Sequence, residues 1–92
     1  VREIEWTTVF ARDFKKAQAN SRHRDVALLL EDIGNHIAQD VPLPARYRDH
    51  ALSGEYIKHR ECHLKPDLLL IYRKPDDQIL RFVRLGSHSE LF

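Results

Sequence analysis

Glycine is scarce in this chain, with three residues in 92. A glycine-rich phosphate loop has no place to form, and no Gly-x-Ser-x-Gly nucleophile elbow exists. Cysteine occurs once, at Cys62, so no intramolecular disulfide can form and a reducing cytoplasm is the expected compartment. Cys62 lies in a strand-like run, where His63 would point to the opposite face, so it reads as a small packed residue rather than a nucleophile. Methionine is absent, which suggests an initiator residue removed or left out of the numbering. The longest apolar run, Leu68 to Tyr72, is far too short to span a membrane, and Val1 to Trp6 has no signal-peptide pattern.

Charge of one sign is lacking too. The net value of +1 excludes a polybasic tail. The distribution is uneven: residues 1–41 hold six Lys/Arg against seven Asp/Glu, whereas residues 42–92 hold nine against seven and four of the six histidines. That excess permits a local anion-binding face. The hydrophobic fraction of 42% suits a modest core, and the length suits one domain, residues 1–92.

Arg2 to Trp6 alternates charged and apolar residues and reads as a short strand with Ile4 and Trp6 on one face. Thr7 or Thr8 caps a first helix, along which Phe10, Phe14 and Ala17 recur at helical spacing before Asn20-Ser21 breaks it. A second helix is predicted over about 22–39, with Val26, Leu29, Leu30, Ile33 and Ile37 as its apolar stripe. Gly34 inside it costs roughly 1 kcal/mol relative to alanine. Both stripes read as core.

Pro42 and Pro44 end helical structure. The segment from Asp40 to about Gly54 is polar, irregular and long for so small a domain, as functional loops are. Leu43, Tyr47 and Leu52 can pin it to the body. Three strands follow, over about 56–64, 68–74 and 79–85, joined by turns at Pro66-Asp67 and Pro75-Asp76-Asp77 that are short enough to force antiparallel neighbours. Ser87 to Phe92 reads as a short helical turn. The expected fold is α+β in two layers: an N-terminal strand and two helices packed on an antiparallel sheet (β-α-α-β-β-β).

His59 and His63 resemble half a zinc-protease motif. That motif needs a helix. On a strand rising ~3.3 Å per residue the two rings stand about 13 Å apart and cannot share a metal. General acid–base chemistry fits the residues better. Cleaving RNA through its own 2′-hydroxyl needs a base, an acid for the 5′-oxygen and positive charge for the phosphorane. Two histidines, a carboxylate and an arginine suffice, with no metal or cofactor. The strand order brings the end of the third meander strand, with Arg84 and His88, to the sheet end that carries His63 and Asp67. The loop bearing His50 has to fold over to join them. The plainer reading, of solvent-facing loop histidines, stays open on these grounds.

Three stretches carry a family resemblance. They are Pro42-Leu43-Pro44-Ala45-Arg46-Tyr47-Arg48-Asp49-His50 on to Gly54, Arg60-Glu61-Cys62-His63-Leu64-Lys65-Pro66-Asp67 on to Tyr72, and Leu80-Arg81-Phe82-Val83-Arg84-Leu85-Gly86-Ser87-His88 on to Phe92. They resemble the YafQ family of toxins, within the RelE superfamily of bacterial toxin–antitoxin modules. The match is specific from residue 42 onward. Over 1–41 it is looser, carried by the strand-helix-helix pattern and by Arg22-His23-Arg24-Asp25. Ala51 and Glu55-Tyr56 depart from the family pattern beside the site.

The resemblance implies a RelE-like fold and a ribosome-dependent endoribonuclease that cuts translating mRNA, at AAA-type lysine codons. It implies catalytic groups at His50, His63, Asp67 and His88, with Arg84 and Phe92 on the substrate. His50 is then the expected base and His88 the expected acid, labels that are exchangeable. His63 and Arg84 stabilise phosphate charge, and Asp67 orients a histidine or the substrate. Arg46, Arg48, Lys58, Arg60 and Lys65 are candidate rRNA contacts. The implied partners are a DinJ-like antitoxin, the 70S ribosome and mRNA, with operator DNA reached only through the antitoxin complex, and no membrane. The rivals are a non-catalytic ParE-like toxin on the same fold and a plain interaction module. His23 is expected in the interhelical turn and His36 on the solvated side of the second helix.

Overall fold

A computed structural model describes all residues 1–92. The elements in chain order are β1 (Glu3–Trp6), α1 (Thr8–Ala19), α2 (Val26–Ala38), β2 (His50–Ala51), β3 (Arg60–Lys65), β4 (Leu68–Arg73), β5 (Ile79–Gly86) and α3 (His88–Leu91). One five-stranded sheet runs in the order β1-β5-β4-β3-β2. The meander β3-β4-β5 is antiparallel, as the short turns require. Two edge strands extend it. β1 pairs with β5 in parallel, which makes the sheet mixed; its chain leaves through α1 and returns to the sheet only after both helices. β2, two residues long, pairs antiparallel with β3 and was not expected from sequence.

Helices α1 and α2 cover one face. Phe10 and Ala17 from α1, and Val26, Leu30, Ile33 and Ile37 from α2, meet Cys62, Leu64, Leu68, Leu70, Tyr72, Leu80, Phe82 and Leu85 from the sheet. Cys62 is fully buried there, on the face opposite His63, and burial pushes its thiol pKa up. Gly34 marks the closest approach of α2 to the sheet. A Cβ at that position would lie 3.0 Å from the Phe82 ring and 3.3 Å from Ile4 Cδ1. Its low helix propensity is therefore offset by tight layer packing.

Local side-chain chemistry sets the boundaries. Thr7 caps α1, its hydroxyl oxygen accepting the Phe10 amide at 3.0 Å and donating to the Val83 carbonyl at 2.9 Å. The second helix starts later than expected. Asn20 accepts the Arg22 amide at 3.0 Å and folds Ser21–His23 into a 3-10 turn, so α2 begins only at Val26. The first meander strand also starts late, at Arg60: Gly54–Tyr56 form a 3-10 turn and Lys58 takes a left-handed backbone at φ 68°. Leu43 and Tyr47 pack on the main core and Leu52 on the opposite sheet face, so the segment from Asp40 to Gly54 is held at both ends.

Candidate active site

The sheet face away from α1 and α2 carries the chemistry. Its apolar floor is Leu69 and Ile71 of β4, covered by Leu91 of α3 and flanked by Leu52, Tyr56 and Val83. Strand β4 is therefore buried on both faces and contributes no ionisable group to the floor. The strands beside it do. Register aligns His50 with Glu61, Glu61 with Ile71, and Ile71 with Arg84. Across three gaps of ~4.8 Å that row spans about 14 Å. The neighbouring row aligns His63 with Leu69 and Gly86, and Gly86 leads straight into Ser87 and His88.

Glu61 is the centre of the first group. It is a carboxylate with 4% of its surface exposed, on a strand whose other ionisable side chains, Arg60, His63 and Lys65, are only half-buried. His63, two residues on and so on the same face, donates from Nε2 to Glu61 Oε1 at 3.1 Å. His50 Nε2 stands 3.8 Å from the same oxygen. His50 Nδ1 lies 2.6 Å from the Arg48 carbonyl. A carbonyl only accepts, so Nδ1 carries the proton and Nε2 is the atom that faces Glu61. Arg48 itself is left-handed, at φ 50°, and this turn aims its carbonyl back at the ring.

His50 is held from the core as well. The Tyr72 hydroxyl donates to Asp49 Oδ1 at 2.6 Å, and Arg60 Nε reaches the same oxygen at 3.2 Å. Burial, and then the Asp49 carboxylate, push the Tyr72 pKa up, so this donor keeps its proton.

The second group gathers around α3. Ser87 caps this short helix in a capping box: its hydroxyl accepts the Glu90 amide while Glu90 accepts the Ser87 amide. Lys16 of α1 binds Glu90 at 2.5 Å and holds its carboxyl down at about 2, with help from Ser87. His88, the first residue of the helix, is exposed and lies against Phe92 with ring centroids 5.1 Å apart. Phe92 meets the edge of Tyr56 at 5.8 Å, and Tyr56 meets His59 at 5.7 Å. Arg84 closes the group. Asp13 first, and then Tyr56, hold its guanidinium more firmly in the charged form.

The structure thus brings His50 and His63 together through Glu61, and His88 and Phe92 together beside Tyr56. Asp67 pairs with none of these histidines, although it shares a cleft with Lys16, Ser87 and Glu90 of the second group. On the β3–β4 turn it lies 3.9 Å from Arg22 and 4.0 Å from the buried His23, over a polar cleft of about 280 Å³. Among the candidate rRNA contacts, Arg60 is engaged by Asp49, and Lys65 by Asp25 at 2.7 Å. Arg46 lies 4.8 Å over the Tyr47 ring. Arg46 and Arg48, with His63 and Lys65, line a cationic cleft of about 430 Å³ beside the first group. Lys58 is exposed on its left-handed turn. Glu61 and Asp13 were not singled out from sequence, and Tyr56 was noted only as a departure from the family pattern. For Glu61 the signal was present: a strand period of two places it beside His63.

Known proteins resemble this chain in sequence and in fold. A family model described as the bacterial toxin of type II toxin–antitoxin system, YafQ, matches residues 2–92. The mRNA interferase toxin YafQ of Escherichia coli K12 is 42% identical over 91 residues, covering 99% of this chain and 96% of that protein. In a crystal structure of the Escherichia coli DinJ–YafQ complex, the matching chain is 40% identical with a TM-score of 0.83, covering 100% of this chain and 99% of the other. A copper-bound mutant toxin from Helicobacter pylori is 38% identical with a TM-score of 0.90, each chain covered completely. In the present chain no group of three or more His, Cys, Asp or Glu side chains converges in metal-holding geometry.

Proposed function

From the premise that this chain belongs to the YafQ family of bacterial type II toxin–antitoxin toxins, we propose that it is an mRNA interferase, a ribosome-dependent endoribonuclease that cuts translating mRNA at AAA-type lysine codons. The observation that carries this reading is the buried Glu61 carboxylate between His50 and His63, on the sheet face that also bears Arg84 and leads into His88. Two imidazoles and one carboxylate supply both proton transfers that RNA cleavage needs, without a metal.

In this reading His50 Nε2 takes the proton of the 2′-hydroxyl. The 2′-oxygen then attacks phosphorus, and His88 donates a proton to the departing 5′-oxygen. The products are a 2′,3′-cyclic phosphate and a 5′-hydroxyl end. Glu61 orients His63 and stabilises the cation formed when His50, which the Arg48 carbonyl orients, is protonated. His63 and Arg84 balance the charge of the phosphorane. Phe92, exposed beside His88, stacks on a base. Asp67, facing the polar cleft by His23, acts on the substrate strand rather than on a histidine of the first group. Arg46, Arg48 and Lys58 contact rRNA, in a salt-dependent manner.

The partner by kinship is a DinJ-like antitoxin, and operator DNA is reached only through that complex. The working surroundings are the ribosome and mRNA of the cytoplasm. No helix is long and apolar enough to cross a membrane. The test is cleavage mapped by primer extension in a translation reaction, with and without ribosomes. Codon-phased cuts that require ribosomes are expected. Complete absence of cuts would instead point to a non-catalytic toxin.

A further inference from the structure

Arg84 is fixed before any substrate arrives. Its Nε donates to Asp13 Oδ2 at 2.8 Å and its Nη2 to Asp13 Oδ1 at 3.3 Å. The same Oδ2 accepts the Leu85 amide at 3.0 Å. Asp13 comes from α1, with 15% of its side chain exposed, and lies 71 residues away in sequence. The topology explains why it is there. β1 accompanies β5 only as far as Phe82, so the later residues of β5 have no strand on that side. Asp13 supplies the acceptor that a strand would have offered to Leu85. The register shift between Ile71 and Tyr72 leaves Val83 without a partner on β4, and such a bulge re-aims the residue beside it, here Arg84.

The chemistry of the guanidinium does the rest. It carries five N–H groups in a rigid fork. Asp13 occupies Nε–H and one hydrogen of Nη2. Asp13 leaves both hydrogens of Nη1 and the second of Nη2, and this end, which has only the Tyr56 hydroxyl beside it, is the edge that matches two phosphate oxygens. We propose that Asp13 is the positioning residue of the site: it grips one edge of Arg84 so that the opposite edge is presented to the scissile phosphate. Asp13 touches no substrate itself. The inference rests on the nuclease reading above, and specifically on a phosphate role for Arg84.

The test is a cycle of variants, Asp13→Asn, Arg84→Ala and the pair, assayed for ribosome-dependent mRNA cleavage. Asp13→Asn keeps an acceptor for Leu85 but loses the two-point grip. It should lower kcat about 10-fold or more, since an angstrom of misplacement costs up to ~100-fold, while KM moves far less. Adding Asp13→Asn to Arg84→Ala should change nothing further. A full extra loss in the Arg84→Ala background would overturn the proposal, because Asp13 would then act without Arg84. So would normal cleavage by Asp13→Asn alone. Normal cleavage by Arg84→Ala would instead remove the phosphate role, a failure visible in the arm that leaves Asp13 intact. A further readout needs no variant: nitrogen relaxation of the Arg84 Nε–H should give an order parameter near ~0.85, as rigid backbone does. A value below ~0.6 would show a free side chain and end the argument.

Discussion

Tyr72 and Asp49 are joined by a 2.6 Å hydrogen bond from the core phenol to the carboxylate that immediately precedes His50. The tyrosine is 2% exposed, on the central strand of the sheet, whereas β2 is an exposed two-residue edge. A candidate catalytic base is thus tied to the core through Tyr72, beside the Arg60 contact and the short β2–β3 pairing. Tyr72→Phe keeps the ring and removes the hydroxyl. Unfolding by urea should show a loss of about 1–2 kcal/mol, the worth of a hydrogen bond to a charged group that is partly solvated. Cleavage should fall by more than this loss of folded protein explains, because His50 loses its anchor. Wild-type cleavage by fully folded Tyr72→Phe would refute the anchoring.

Glu61→Gln separates charge from shape at the centre of the first group. The amide still fills the space beside His63. The partners left behind, His50 and His63, are partly exposed, so water can replace the lost carboxylate and no uncompensated charge is left buried. The thermal midpoint should therefore stay within a few degrees of wild type. Cleavage should nevertheless fall at least ~100-fold, the lower range for loss of positioned acid–base groups. A variant that cuts mRNA at the normal rate would show that Glu61 serves packing alone.

Gly34→Ala should run against helix propensity. In an exposed helix the change gains about 1 kcal/mol. Here the new methyl meets the Phe82 ring at 3.0 Å and Ile4 at 3.3 Å, and Phe82 has no room to retreat within the core. A net loss of about 1–3 kcal/mol is expected from denaturant unfolding, the usual cost of overpacking. A stabilised variant would mean that the helix lifts off the sheet freely.

Acid should loosen α3 through Glu90. Lys16 and Ser87 hold this carboxyl at about 2, against its ordinary 4.5. A group whose folded pKa is depressed binds fewer protons folded than unfolded, so its stabilisation is present above about 4.5 and is lost as pH falls toward about 2. Asp40, held at about 2 by Arg2 and Lys74, titrates in the same direction. Thermal midpoints between pH 2 and pH 5 should therefore fall less steeply in Glu90→Gln than in wild type, with a residual slope from Asp40. Parallel curves for the two proteins would count against the Glu90 clasp.

Much of this architecture was legible in the chain. The stripes through Phe10 and Ala17 and through Val26, Leu30, Ile33 and Ile37 gave both helices, because burial imposes their 3.6-residue period. Short Pro-Asp turns gave the meander. β2 was illegible, since His50-Ala51 is too short to show an alternation and is a strand only by virtue of its partner. Of the site, the sequence offered His63 and His88 at one sheet end. It did not offer the pairing of Arg84 with Asp13, which depends on where α1 crosses β5. Nor did it place Asp67 beside His23, because that contact joins a turn of the sheet to the turn between the helices, distant in sequence. Glu61 was passed over in favour of the histidines around it, although a strand period of two puts it on the face of His63.

The central strand β4, buried on both faces, gives this protein an uneven resistance to opening. Its amides, and those of the β5 and β3 segments bonded to them, should exchange only when the whole molecule unfolds. His50 sits on a marginal edge, and His88 and Phe92 on a single helical turn. These outlying pieces can release and reclose while the middle of the sheet stays intact. Loss of nuclease competence and loss of the fold are then separate events, the first available at far lower free energy than the second.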